Sequence, residues 1–300
     1  MRRFLLMVFL FLAAGYAAMW ITDIHMSERA SKAEGAASQW EEWINGGIET
    51  DCLVLGSSRA NQHVSPQVLD SILGTHSYNA GIAGLHFDFM RSVYDFFRAR
   101  DSKPRVVLIN VDHSSLSPTD HLINRHQYLP WFHNKDFRRL FFPIIHPTFP
   151  ERFLPMYRFR GYHSYSLKKE HEYYRGFRPK DTPFNGKNLL RKKFPFIIDE
   201  SVQASLNEML DRIEQDGAKA VLFYSPIHVD TYRRMHYRED MLALYDSLSA
   251  ARGIPILDYT NMWISRDSSF FVDGVHLNQL GATVFTDSLA HGIARLGLLN

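Results

Sequence analysis

The sequence predicts an α/β domain built on a parallel sheet, with an apolar N-terminal helix ahead of it. Three observations carry this. Five short apolar runs lack the alternation of a half-exposed strand, so they read as strands buried on both faces. Helical patterns separate most of them, and strand–helix alternation produces parallel sheets. The chain also opens on Met1-Arg2-Arg3 followed by an apolar run from Phe4 to Thr22, about the length that spans a bilayer.

That first segment, residues 1–22, suits either an uncleaved membrane anchor or a secretory signal. Small residues at Gly15, Ala17 and Ala18 offer a cleavage site, whereas the run through Met19, Trp20 and Ile21 is longer than a usual signal core. Under both readings the arginines stay inside and the rest of the chain lies outside the cytoplasmic membrane, either periplasmic or at the cell surface. Residues 23–49 are polar and bear Ala, Gly and Ser. They read as a stalk with a short helix around 39–43.

The domain proper is expected over 50–300. Its strands are Cys52–Leu55, His76–Asn79, Arg105–Asn110, Ala220–Tyr224 and Ile254–Leu257. Val202, Leu206, Met209, Leu210 and Ile213 share one helical face, and Gly217 follows as a stop signal. A second helix is expected from Glu239 to Arg252, and a third from Ala282 to Leu296. One region breaks the alternation. From about 116 to 195 the chain is rich in aromatic, basic and proline residues. It reads as an irregular insert, either a cover packed on the domain or a surface for a polar polymer or sugar.

Composition removes several function classes. The net charge of +2 over 300 residues demands no nucleic-acid partner. The single cysteine, Cys52, leaves no internal disulfide. No Cys/His spacing resembles a zinc site, so no metal or organic cofactor is expected.

In open parallel sheets, ligands bind beyond the carboxyl ends of the strands. The residues just past each strand are therefore the candidates. Gly56, Ser57, Ser58 and Arg59 follow the first, and "NAGIAG" (Asn79 to Gly84) follows the second. Val111, Asp112 and His113 follow the third, and Ser225, Pro226 and His228 the fourth. "FVDGVHLNQLGA", with Asp273 and His276, comes after the fifth. A serine, a histidine and a carboxylate are the parts of a nucleophilic hydrolase. A glycine-rich turn supplies N–H groups for an oxyanion. Asp-x-x-His on one short segment lets the carboxylate orient the imidazole, leaving the other ring nitrogen for the serine. The catalytic candidates are Ser58, His276 and Asp273. The oxyanion or substrate candidates are Gly84, His113, Arg59 and Asn79. Arg59 would meet an anionic substrate or form a salt bridge on a helix face. His228 would line the site or pack. The remaining histidines read as solvated.

"GSSR", "NAGIAG" and "DGVHLNQLGA" together resemble the SGNH (GDSL-type) hydrolase superfamily, from about residue 50 to 295 apart from the insert. The chain is most similar to membrane-anchored extracytoplasmic members linked to D-alanine transfer and polysaccharide O-acetylation. The resemblance implies a flavodoxin-like three-layer α/β/α sandwich, with Ser58 as nucleophile, Gly84 as an oxyanion donor, His276 as base and Asp273 as its carboxylate. Two departures stand out. Gly-Asp-Ser is here Gly56-Ser57-Ser58, and the third block's Gly-x-Asn-Asp is replaced by "INVDHSSL". Only His113 or Asn110 stands near the missing asparagine. Losing that donor would cost about 3 kcal/mol of transition-state stabilisation.

The expected function is acyl-ester hydrolysis or O-acyl transfer on a cell-envelope glycan. If the chain transfers, a membrane-bound O-acyltransferase is the implied acyl-delivering partner. The alternative is a non-catalytic glycan-binding or assembly factor on a degenerate hydrolase fold.

Overall fold

A computed structural model of the chain describes residues 1–31, 36–45, 47–100, 102–112, 115–117, 125–160, 174–184, 186, 198–235 and 237–299. They divide into two compact units. One is Met1–Gly46 with Asn124–Lys169, the other Gly47–Ile123 with Glu170–Asn300.

The second unit holds the sheet. Strands β1 (Cys52–Leu55), β2 (Ser77–Asn79), β3 (Val106–Asn110), β4 (Lys219–Tyr224) and β5 (Ile256–Asp258) run in the order β2-β1-β3-β4-β5. Every pairing is parallel, with Val54 opposite Asn79 and Leu108, and Leu108 opposite Val221. This is the flavodoxin-like order of a doubly wound sheet. Every residue of β1, β2 and β3 is buried, which explains the continuous apolar runs. β5, at an edge, is only partly buried, and it begins two residues later than the sequence predicts, after Pro255.

Alternate strand residues face opposite helical layers. Cys52, Val54, Val106, Leu108, Val221 and Phe223 share a core with Ala60, Leu69, Phe285, Leu289 and Ile293. Those partners belong to α3 (Ser58–His63), α4 (Pro66–Leu73) and α11 (Gln279–Leu296). On the other face α5 (Phe87–Arg98) packs on α8 (Glu200–Gln215). There α10 (Arg238–Arg252) buries Met241 and Tyr245, and the Tyr245 ring meets those of Phe87 and Tyr224. The expected helix ends are chemically marked. Asp199 caps α8 by accepting from the N–H groups of Ser201 and Val202, and Asn278 caps α11 by accepting from Gly281 N–H.

The first unit contains α1 (Arg2–Ser31), α2 (Ala36–Asn45), α6 (Lys135–Ile145) and α7 (Phe149–Phe153). α1 is long and apolar enough to cross a membrane, with a mean hydropathy of 2.3 over a stretch whose residues are all unburied. Where the sequence reads as a polar stalk, α1 instead continues to Ser31, and α2 follows. The reason is burial. Asp23 is wholly enclosed; it accepts from Arg158 (2.5 Å), His133 (2.6 Å) and Met156 N–H (2.7 Å). Trp40 and Trp43 are also buried, and the Trp40 ring packs edge-on against Tyr128, Phe137 and Phe141. Part of the region that reads as irregular is therefore helical, because its aromatic residues make a small core within this unit.

Candidate active site

The site starts from a glycine that admits no side chain. A Cβ on Gly56 would lie 2.6 Å from the Cβ of Ala60 and 2.7 Å from that of Asn110. Only glycine lets β1 turn this tightly beside β3. Ser57 then caps α3 by accepting from Arg59 N–H, and Ser58 becomes the first residue of the helix. Ser57 and Arg59 are buried while Ser58 is half-buried. The serine thus emerges where the strand order reverses, between β1 and β3, the crevice position of doubly wound sheets.

Opposite it stands the loop before α11. Ser58 Oγ lies 2.9 Å from His276 Nε2. His276 Nδ1 lies 3.0 and 3.1 Å from the two oxygens of Asp273. Asp273 Oδ1 also accepts from the backbone N–H groups of Val275 and His276, each at 2.9 Å. Burial opposes ionisation of Asp273, but the His276 ring and these N–H groups outweigh it and hold the carboxyl at about 2. An ionised carboxylate only accepts, so His276 carries its proton on Nδ1. Nε2 is left as the acceptor for the Ser58 hydroxyl.

The glycine-rich turn lies beside Ser58. Ile82 N–H donates to Gly56 O at 3.1 Å, and Gly84 adopts φ +77°, which suits glycine. Among the described residues, neither Ser58 N–H nor Gly84 N–H meets a protein acceptor.

The other candidates are placed differently. Asn79 is fully buried and braces the turn. Its Nδ2 donates to Ala60 O (2.8 Å) and Val64 O (2.7 Å), and its Oδ1 accepts from Gly81 N–H (2.9 Å). Among the described residues Arg59 forms no salt bridge on a helix face. Its side chain is buried, donating to Ser225 O and, at 3.5 Å, to Pro226 O. It ties α3 to the end of β4, as a short side chain there could not. Asn110 is also fully buried, with Nδ2 donating to Phe223 O at 3.3 Å. His113 lies outside the described residues. His228 packs: its ring stacks on Phe184 and meets Phe271 edge-on. It also caps α9 (Val229–Tyr232), and its N–H donates to Gly274 O within the Asp273–His276 loop.

Two contributors receive no role in the sequence reading, although one of them, Asp112, stands among the residues just past a strand. Asp112 is buried and accepts from Ser57 Oγ at 2.6 Å and Ser115 Oγ at 3.2 Å. The divergent third block thus anchors the residue before Ser58. The other is His63, which reads as a solvated histidine but has no exposed surface. Leu277 N–H donates to its Nε2 at 3.0 Å. The ring proton is therefore on Nδ1, which faces Ser225 Oγ at 3.0 Å. Burial first, then the neighbouring Arg59, His276 and Lys180, hold its pKa well below the ordinary imidazole value. His63 fixes the backbone one residue past His276. Its partners lie 162 and 214 positions away, so no local spacing marks it.

No family model matches the chain, and no curated protein matches it. Solved structures do. One is a presumed acylhydrolase from Bacteroides fragilis NCTC 9343, at 11% identity and a TM-score of 0.46, covering 86% of this chain and 96% of that one. Another is a presumed platelet activating factor from Streptococcus pneumonia, at 10% identity and 0.46, covering 96% and 99%. A third is a presumed lipolytic protein of the G-D-S-L family from Desulfitobacterium hafniense DCB-2, at 11% and 0.44, covering 80% and 98%. At such identities and TM-scores, the chemistry of the site rests on its own geometry.

Proposed function

We propose that the chain is a serine-dependent acyl-ester hydrolase or O-acyltransferase of the SGNH type. The observation that supports this most is the continuous line from Ser58 Oγ through the His276 ring to the Asp273 carboxylate. Ser58 attacks the acyl carbonyl while its proton passes to His276 Nε2. The carbonyl oxygen becomes an oxyanion facing the N–H groups of Ser58 and Gly84. Collapse expels the alcohol, which takes the proton back from His276 and leaves an acyl-serine. Water, or a sugar hydroxyl, then gives its proton to His276 as it attacks the acyl-serine, and the Ser58–acyl bond breaks as Ser58 Oγ takes that proton back.

The substrate we propose is an acylated cell-envelope glycan, with a membrane-bound O-acyltransferase delivering the acyl group where the chain transfers. The chain would sit outside the cytoplasmic membrane, held by α1. Retention of α1 rather than cleavage is supported by Tyr16, which precedes Ala18 and whose hydroxyl donates to Phe153 O at 3.0 Å.

A fluorophosphonate probe tests the catalytic reading. It should label the wild type and fail on Ser58→Ala. An unlabelled wild type whose biological function survives Ser58→Ala would instead establish the glycan-binding alternative. p-Nitrophenyl acetate, with and without acceptor glycan, separates the two reactions: product formed only with acceptor identifies a transferase.

A further inference from the structure

The first unit carries a second apolar surface besides α1. In α7, Phe149 is 72% exposed, Phe153 54%, and the next residue, Leu154, 46%. The two phenylalanines are a helical turn apart, with ring centroids 4.9 Å from one another. Large apolar side chains gathered in this way mark an interaction site. Tyr16, in the apolar run of α1, donates from its hydroxyl to Phe153 O at 3.0 Å. That bond fixes α7 against α1 at a definite height.

We infer that α7 is a membrane-inserted wedge, with Phe149, Phe153 and Leu154 entering the outer leaflet beside α1. The inference rests on α1 spanning the bilayer. Tyr16 precedes Thr22, the end of the apolar run, by six residues, which at about 1.5 Å per residue is about 9 Å along the helix. Interfacial helices bury their apolar faces to about 5–10 Å, so the depths agree. Lipid demands that backbone polar groups be satisfied internally, and at both ends of α7 particular groups are. The Tyr16 hydroxyl satisfies Phe153 O at the carboxyl end of α7. At its amino end the Glu151 carboxylate accepts from Thr148 N–H at 2.7 Å. Pro147, Pro150 and Pro155 have no N–H to satisfy. Arg152 is bound through Nε to Pro147 O at 2.9 Å, and its long stem lets the charge reach headgroups. Trp20, edge-on to His133 at 4.9 Å, supplies the interfacial aromatic expected near a span's end.

The test uses the full chain in phosphatidylcholine–phosphatidylglycerol vesicles, with a thiol-reactive fluorophore on one introduced cysteine. Native Cys52 does not compete: it is fully buried, and burial pushes its thiol up to about 12. The variants are Phe149→Cys and Phe153→Cys, with Leu10→Cys and His25→Cys as deep and aqueous references on α1. We expect labels at 149 and 153 to be quenched several-fold more by a nitroxide lipid labelled near the headgroup than by aqueous iodide. Iodide quenching there equal to that at His25→Cys, with Leu10→Cys protected, overturns the wedge while leaving the span. Iodide access at Leu10→Cys overturns both. Protection from iodide without quenching by lipid would mean that protein covers the patch, and would overturn the lipid assignment.

Discussion

His63 makes the second unit acid-sensitive in a way its surface does not reveal. In the unfolded chain this imidazole takes up a proton near its ordinary pKa of about 6.5. In the folded chain it stays neutral well below that value, because burial and neighbouring positive charge disfavour the cation. A protonated Nε2 would also oppose one donor, the ring N–H, to another, Leu277 N–H. The folded pKa is depressed, so the stabilisation is complete above about pH 6.5. It is lost as pH falls from there toward the folded value. The slope for one proton is about 1.4 kcal/mol per pH unit, giving about 2 kcal/mol between about pH 6.5 and pH 5. For a unit of roughly 200 residues this corresponds to about 4–8 °C in Tm. The measurement is thermal melting of the full chain in detergent at about pH 7 and pH 5 for the wild type and His63→Gln, whose amide keeps an acceptor and a donor without titrating. The wild type should lose about 4–8 °C more than the variant over this interval, since groups shared by both cancel. Parallel pH dependences would refute the buried neutral imidazole. His63→Leu removes both partners and should cost about 1–3 kcal/mol for each group left unpaired.

Other perturbations probe the rest of the site. Ser58→Ala and His276→Ala should each lower turnover by about 10⁶-fold, with the double mutant little worse, because the two act as a unit; additive losses would argue against a shared proton path. Asp273→Asn should lower turnover less than either, by about 10⁴-fold, and should also remove the acid-range stabilisation that a carboxyl held at about 2 provides. That stabilisation is present above the unfolded value of about 3.8 and lost as pH falls toward 2, so wild-type and variant urea midpoints should converge there. Gly56→Ala places a Cβ against Ala60 and Asn110 and should cost about 1–3 kcal/mol or more by overpacking, read as a lowered denaturant midpoint. An alkaline phosphatase fusion after residue 30 should be active; a stable but inactive fusion would refute the extracytoplasmic placement.

The parts of this protein legible in the sequence are those whose cause is local. β1 and most of β3 announce themselves because both faces are covered, so Cys52–Leu55 and Val106 to Ile109 are continuously apolar. α8 does so through one apolar face and the stop signal Gly217, while α11 begins three residues before the expected Ala282, where Asn278 caps it. Gly56, Ser58, Asp273 and His276 are legible because the fold places ligands beyond strand ends and because an Asp-x-x-His segment contains its own geometry. What stayed hidden depends on partners distant in the chain. Arg59 reads as a partner for an anionic substrate or a helix-face ion pair until the carbonyls of Ser225 and Pro226 are brought to it. Asn79 reads as part of a binding turn until its amide is seen capping the end of α3. Residues 23–49 read as a stalk because their polar and aromatic residues have no visible use locally. Asp23 is buried only because Arg158 arrives from 135 positions away. The same logic bears on the divergent third block. Read locally, "INVDHSSL" is the loss of an oxyanion donor. Placed in the fold, Asp112 holds Ser57 by its hydroxyl, and Ser57 in turn caps the helix that begins with Ser58. Ser57 and Asp112 are thus two halves of one buried contact, and Ser57→Asp would set two buried carboxylates against each other.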